Sequence, residues 1–153
     1  MKYKKPVSVL VVIHTPALDV LLLERARHPG FWQSVTGSQE DEEPLIETAR
    51  REVFEETGIA SVVTGFIDWQ LTNRYEIFAE WRHRYAPDVT HNIEHVFSLC
   101  VPERCPVSIA PEEHLGYRWL PWRKAAEACF SWTNRDAILE LPQRLGRGTD
   151  SDQ

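Results

Sequence analysis

Three glutamates, Glu52, Glu55 and Glu56, crowd the end of a stretch that reads as one helix, with Arg51 immediately before them. Like charges three and four residues apart repel, and the C-terminal end of a helix already carries partial negative charge, so each such pair costs about 0.2–0.5 kcal/mol. Arg/Glu pairs on a solvated helix account for Glu47, Arg51 and Glu55. They do not account for three mutually repelling acids at the electronegative end. A divalent cation reverses the sign of the arrangement. Hard ions such as Mg²⁺ take oxygen ligands in octahedral geometry and bridge to substrate phosphates. The chemistry to expect is therefore cation-assisted handling of a phosphate.

The helix that positions these groups is expected from Pro44 to about Thr57, with proline in its first turn and Gly58 at C′. At about 100° per residue, Leu45, Ile46, Ala49 and Val53 share one apolar arc. Glu52, Glu55 and Glu56 fall on the adjoining arc, with Glu56 at the core edge. Arg51, four residues from both Glu47 and Glu55, is placed to brace the two.

Around this helix, Val7–Ile13 and Val20–Glu24 read as a strand hairpin. Phe31–Val35 reads as a short strand ending in a break at Thr36-Gly37-Ser38. Val62–Trp69, Asn73–Trp81, Glu94–Val101 and Tyr117–Leu120 are further strands, and Arg82–Ile93 is a polar connection. Trp122–Phe130 and Arg135–Leu141 read as helices separated by the SWTN segment. Many strands with few helices, not in strict βαβ alternation, predict an α+β fold: an α/β/α sandwich around a mixed sheet. One domain over residues 1–145 is expected, with a disordered polar tail over 146–153.

Bulk composition narrows the function class. The chain has 153 residues, 42% hydrophobic and 26% charged, in the soluble globular range. No apolar run approaches the roughly 18–20 residues that span a bilayer, and the basic start has no cleavage site, so a cytoplasmic protein with no membrane partner is expected. Residues 37–56 hold eight acids and two arginines, which carry the whole net charge of −6. That argues against nucleic-acid binding, which needs a basic face. Cys100, Cys105 and Cys129 form no CxxC pair, and the histidines lack zinc spacing. No obligate protein partner is implied.

The acidic stretch resembles the Nudix box, Gx5Ex7REUxEExGU with U a bulky aliphatic residue. It runs Gly37, Glu43, then Arg51-Glu52-Val53-Phe54-Glu55-Glu56-Thr57-Gly58-Ile59, and every defined position matches. The loop reads QEDEE where many members carry another glycine. The resemblance implies an α/β/α sandwich and a Mg²⁺-dependent hydrolase of phosphoanhydrides, with Mn²⁺ as a possible substitute. It implies that Glu52, Glu55 and Glu56 ligate metal, that Arg51 orients them, and that Gly37 allows the loop its tight path. Family members often recruit a further glutamate, for which Glu113 is the candidate, as ligand or base.

Outside the box, KxPVSxLVVI (4–13), FWQSVTGS (31–38), EIF (76–78), RHRYAP (82–87), EHL (113–115) and SWxNRxAI (131–138) are similar to the bacterial branch of the family that removes pyrophosphate from 7,8-dihydroneopterin triphosphate in folate biosynthesis. That resemblance puts Lys4, Arg25, Thr36 and Ser131 at the substrate. From the residues themselves, Lys4, Arg25 and Arg84 are cations able to meet a triphosphate. Trp32, Tyr85 and Trp132 are aromatics able to stack on a heterocycle. The alternatives are a nucleotide-cleaning pyrophosphatase acting on a nucleoside triphosphate such as dATP, an RNA 5′-pyrophosphohydrolase, and a non-catalytic regulator on the same fold.

Overall fold

The computed structural model describes residues 2–62 and 65–146. The chain runs β1 (Val7–His14), β2 (Asp19–Arg25), β3 (Trp32–Gln33), β4 (Val35–Ser38), α1 (Leu45–Thr57), β5 (Phe66–Glu76), a 3-10 segment (Ala79–Arg84), β6 (His91–Cys100), β7 (His114–Pro121), α2 (Trp122–Ala128) and α3 (Trp132–Arg144). All seven strands form one mixed sheet. Its main path is β3-β2-β1-β6-β5, with β4 added against β1 and β7 against β2. Strands β1 and β6 are parallel from Val7↔Ile93 to His14↔Cys100, and the other pairings are antiparallel.

The apolar run in β1 is continuous because both faces of this central strand are covered. Val9, Val11 and Ile13 pack on one face with Ala49 and Val53 of α1. Leu10 and Val12 pack on the other with Ala125, Ala137, Ile138 and Leu141 of α2 and α3. Strand β2 alternates in the same way, Leu21 and Leu23 against Val20 and Leu22. The α/β/α sandwich is thus present as expected.

Several local expectations are corrected. Thr36-Gly37-Ser38 is not a break but the body of β4, with Gly37 opposite Val9 and Ser38 opposite Ser8. Glycine and serine are poor strand formers, and here pairing with β1 overrides that preference. The two strands expected over 62–81 are one, β5, interrupted by a bulge between Asp68 and Thr72. Gln70 takes a positive φ of 53° there and its N–H donates to Asp68 Oδ1 at 2.8 Å. The bulge breaks the alternation, which is why the pattern reads as two pieces. Residues 63 and 64 of the first expected strand lie outside the described residues.

Trp81 lies on the 3-10 segment and not in a strand. Strand β6 starts at His91, within the expected connection. The SWTN segment is not a linker. Ser131 is the N-cap of α3 and Trp132 to Asn134 form its first turn. Gly58 does close α1, in the left-handed conformation at φ 76°, its N–H donating to Phe54 O at 2.8 Å. Of the expected tail, residues 147–153 lie outside the described residues.

Candidate active site

The C-terminal half of α1 lies against β4, and the approach depends on Gly37. A Cβ built there would stand 2.0 Å from Glu52 Cδ and 2.3 Å from its Oε2, so the Glu52 carboxyl occupies the space of the missing side chain. Before α1, the loop folds back on Arg51. The guanidinium donates to Glu43 Oε1 at 2.7 Å, to Glu43 Oε2 at 3.2 Å and to Ser38 O at 2.9 Å. Glu43 also accepts from Thr48 Oγ1 at 2.9 Å and from the Glu40 N–H at 3.0 Å. The Arg51 hydrogen bonds hold the Glu43 carboxyl down at about 2, and Glu43 in turn holds the guanidinium above its ordinary value.

Arg51 then reaches Glu52 at 3.0 Å and Glu55 at 3.3 Å. It does brace Glu55, but Glu47 pairs instead with Arg50, at 2.8 Å. The fork that links loop to helix is therefore Glu43–Arg51. An eight-residue separation across a loop gave no helical spacing by which to see it.

Glu56 points inward and is 4% exposed. Its Oε1 is buried without a hydrogen-bond partner. Burial pushes this carboxyl well above the usual range, and the facing Glu52 and Glu113 add to the shift. Burial raises Glu52 as well, against the pull of Arg51. The residue that sequence reasoning missed is His114, at the start of β7. Its Nε2 stands 3.7 Å from Glu56 Oε1, its Nδ1 has no partner, and burial, aided by Arg25, pushes it down to about 4. A neutral imidazole here adds no compensating charge beside Glu56.

These residues line one end of a cleft of about 750 Å³, together with Gly37, Glu113 and His114. Lys4, Arg25, Thr36, Arg84 and Tyr85 line the same cleft. Arg25 is held by Gln33, which accepts at 3.1 Å and passes a hydrogen bond to Thr36 Oγ1 at 3.3 Å. Its guanidinium stacks 4.6 Å from the Trp81 ring, leaving Nε buried and unpartnered. Burial and the neighbouring Arg84 lower both Lys4 and Arg25. Among the described residues no ion pair joins Lys4, Arg25 or Arg84 to the acids. The cleft thus presents acids and cations held apart.

Three sequence candidates lie elsewhere. Ser131 does not line the cleft; its Oγ caps α3 and contacts Thr133 Oγ1 at 3.0 Å. Trp32 packs against the second core under the Arg118 guanidinium, 4.5 Å from the ring. Trp132 is exposed and outside the cleft. The Tyr and Trp side chains that do line it are Tyr3, Tyr75, Trp81 and Tyr85.

The donor set fits a hard divalent cation: carboxylate oxygens only, one of them buried and unpartnered, one seated in a cradle that a Cβ would fill. Among the described residues no three acidic, histidine or cysteine side chains close into a cation shell. Arg51 draws oxygens of Glu52 and Glu55 to itself, while Glu52 also lies within hydrogen-bond reach of Glu56.

A family model for the NUDIX domain matches residues 4–141. The chain is 48% identical over 142 residues to the dihydroneopterin triphosphate diphosphatase of Escherichia coli K12, covering 91% of this chain and 93% of that one. It is 42% identical over 150 residues to the enzyme of the same name from Haemophilus influenzae, covering 96% and 94%. The solved structure of the E. coli dihydroneopterin triphosphate pyrophosphohydrolase superposes with a TM-score of 0.85 at 46% identity, over 92% of this chain and 97% of that one.

Proposed function

The chain belongs to the NUDIX family, and from that premise we propose that it hydrolyses 7,8-dihydroneopterin triphosphate to the monophosphate and pyrophosphate, using Mg²⁺, with Mn²⁺ as a substitute. The observation that carries this reading is the cleft itself. Glu56 Oε1, buried without a hydrogen-bond partner, stands in the same cavity as Lys4 and Arg25, which form no ion pair with a carboxylate among the described residues. A buried carboxyl oxygen with no hydrogen bond and cations with no ion pair are complementary to a metal-bound polyphosphate.

Glu52, Glu55, Glu56 and Glu113 would hold the divalent cation, which would supply charge neutralisation on the phosphates and lower the pKa of an attacking water. The protein's own residues do the rest. Lys4, Arg25 and Arg84 bind the phosphate oxygens and withdraw the charge that builds on the leaving pyrophosphate. Thr36, tied to Arg25 through Gln33, fixes the approach of the chain. Arg51, anchored by Glu43 and Ser38 O, orients the Glu52 and Glu55 carboxylates. His114, neutral and beside Glu56, fills the wall behind it without competing as a cation. Glu113 and Glu56 are the two carboxylates free of Arg51 and are the candidates for accepting the proton of water.

The experiment is turnover of dihydroneopterin triphosphate, dATP and the other deoxynucleoside triphosphates in Mg²⁺, with the leaving group identified. A kcat/KM for the pterin well above that for every nucleotide, with pyrophosphate released, is the expected result. Equal or better turnover of a nucleotide overturns the substrate assignment and leaves the reaction class intact.

A further inference from the structure

Beyond the acids and cations, the cleft reaches a polar corner for which bond cleavage has no use. Ser8 of β1, Tyr75 of β5 and Asn92 of β6 meet there, and all three line the cavity. Asn92 is 2% exposed. Its Nδ2 donates to Ser8 Oγ at 2.7 Å and to Tyr75 OH at 3.0 Å. Both amide hydrogens are thereby engaged, and Oδ1 is left buried without a partner. A buried acceptor left unmade is a standing cost that a ligand N–H would relieve. Burial raises the Tyr75 phenol, with Glu94 adding to the shift, so it stays neutral and can keep both its donor and acceptor roles. Tyr85 supplies a flat wall nearby, its ring 5.8 Å from Lys4 Nζ.

Resting on the proposed function, we infer that Asn92, oriented by Ser8 and Tyr75, is the specificity-determining residue that reads the pyrimidinone edge of the pterin ring. That edge carries an exocyclic amino group and a ring N–H, two donors side by side, and Asn92 Oδ1 is the acceptor facing them. The sheet register links this corner to the reacting end. Ser8 pairs with Ser38, the neighbour of Gly37, whose missing side chain admits Glu52. A flat bicycle in the corner therefore leaves its triphosphate running toward Lys4, Arg25 and the acids. The competing account is that Ser8, Asn92 and Tyr75 only tie β1, β5 and β6 together.

The test compares dihydroneopterin triphosphate with ribose 5-triphosphate, which keeps the phosphates and has no ring. Asn92→Leu keeps the branched shape and heavy-atom count and removes the acceptor along with the Nδ2 donors to Ser8 and Tyr75; Tyr75→Phe removes only the group that orients it. For Asn92→Leu the ratio of the two kcat/KM values is expected to fall about ten- to a hundredfold, mainly through KM for the pterin, and for Tyr75→Phe by a smaller factor in the same direction. A ratio unchanged in both variants, with wild-type thermal unfolding, overturns the inference. Titration of 7,8-dihydroneopterin into wild type and Asn92→Leu by calorimetry needs no turnover. Binding that is lost in the variant while wild type fails to hydrolyse the triphosphate keeps the subsite and defeats the proposed function. Hydrolysis of the pterin that Asn92→Leu leaves unimpaired defeats the subsite alone.

Discussion

Gly37 acts through the side chain it lacks. An alanine Cβ would meet Glu52 Cδ at 2.0 Å, far inside any real contact, and the flexible carboxyl would have to swing aside. Gly37→Ala is therefore expected to lower kcat by at least about tenfold, since misplacement of a reacting group by an ångström is costly, while the unfolding midpoint changes little. Wild-type kcat in Gly37→Ala would show that the Glu52 position is not critical. Glu43 has a different signature, because it touches Arg51 and not the reacting atoms. Its folded pKa, about 2, lies below the unfolded carboxylate value. Its contribution to stability is thus fully present above about pH 4.3 and is lost as pH falls from there through the folded value. Glu43→Gln should cost about 1–3 kcal/mol at pH 7, as expected for hydrogen bonds to a charged group. Urea unfolding at pH 7 and pH 3.5 checks this, and an equal difference at both pH values would contradict the Arg51 assignment.

At the scale of elements, α3 gives Ser131 a capping role that can be tested against a substrate-binding one. The Ser131 side chain accepts from the Asn134 N–H at the start of a 13-residue helix, and Asn134 Oδ1 in turn accepts from the Ser34 N–H at 2.8 Å, joining α3 to the loop between β3 and β4. Ser131→Ala is expected to cost about 0.5–2 kcal/mol as a lost N-cap, with KM for the triphosphate within twofold of wild type. A large rise in KM at unchanged stability would return Ser131 to the substrate. The same helix shows what the sequence could reveal. Helix α1 was legible because proline, glycine and an apolar arc mark its start, end and buried face. The start of α3 was not, since SWTN is polar and turn-like until its serine is seen as a cap. Strand β5 was hidden by its bulge, and β4 by a glycine placed for Glu52 and not for the sheet. In the site, the carboxylates were visible from their mutual repulsion. His114 and Asn92 were not, because each is one residue in a strand and only the fold brings it to the cleft.

For the whole molecule, the net charge of −6 resides in residues 37–56, and the fold gathers much of it on one wall of one cleft. Glu52 and Glu56 share that wall with the exposed Glu113, and burial leaves the first two little solvent to screen them. A divalent cation bound at these carboxylates would remove the repulsion they carry in the native state, and the unfolded chain offers no comparable site. Stability should rise with cation concentration by mass action, by about 2.7 kcal/mol at a hundredfold excess over Kd. For a chain of this size that is about 5–10 °C in Tm, at roughly 2–4 °C per kcal/mol. Scanning calorimetry of chelator-treated protein against Mg²⁺ titration measures it directly. Glu56→Gln replaces the buried carboxyl by a neutral group of the same shape, so its Tm in chelator should equal or exceed that of wild type, while its Mg²⁺-induced rise should largely vanish and kcat should fall by at least about a hundredfold. A variant that keeps the full Mg²⁺ shift would place the cation away from Glu56. A wild type whose Tm ignores Mg²⁺ would remove the link between the charge excess and metal binding.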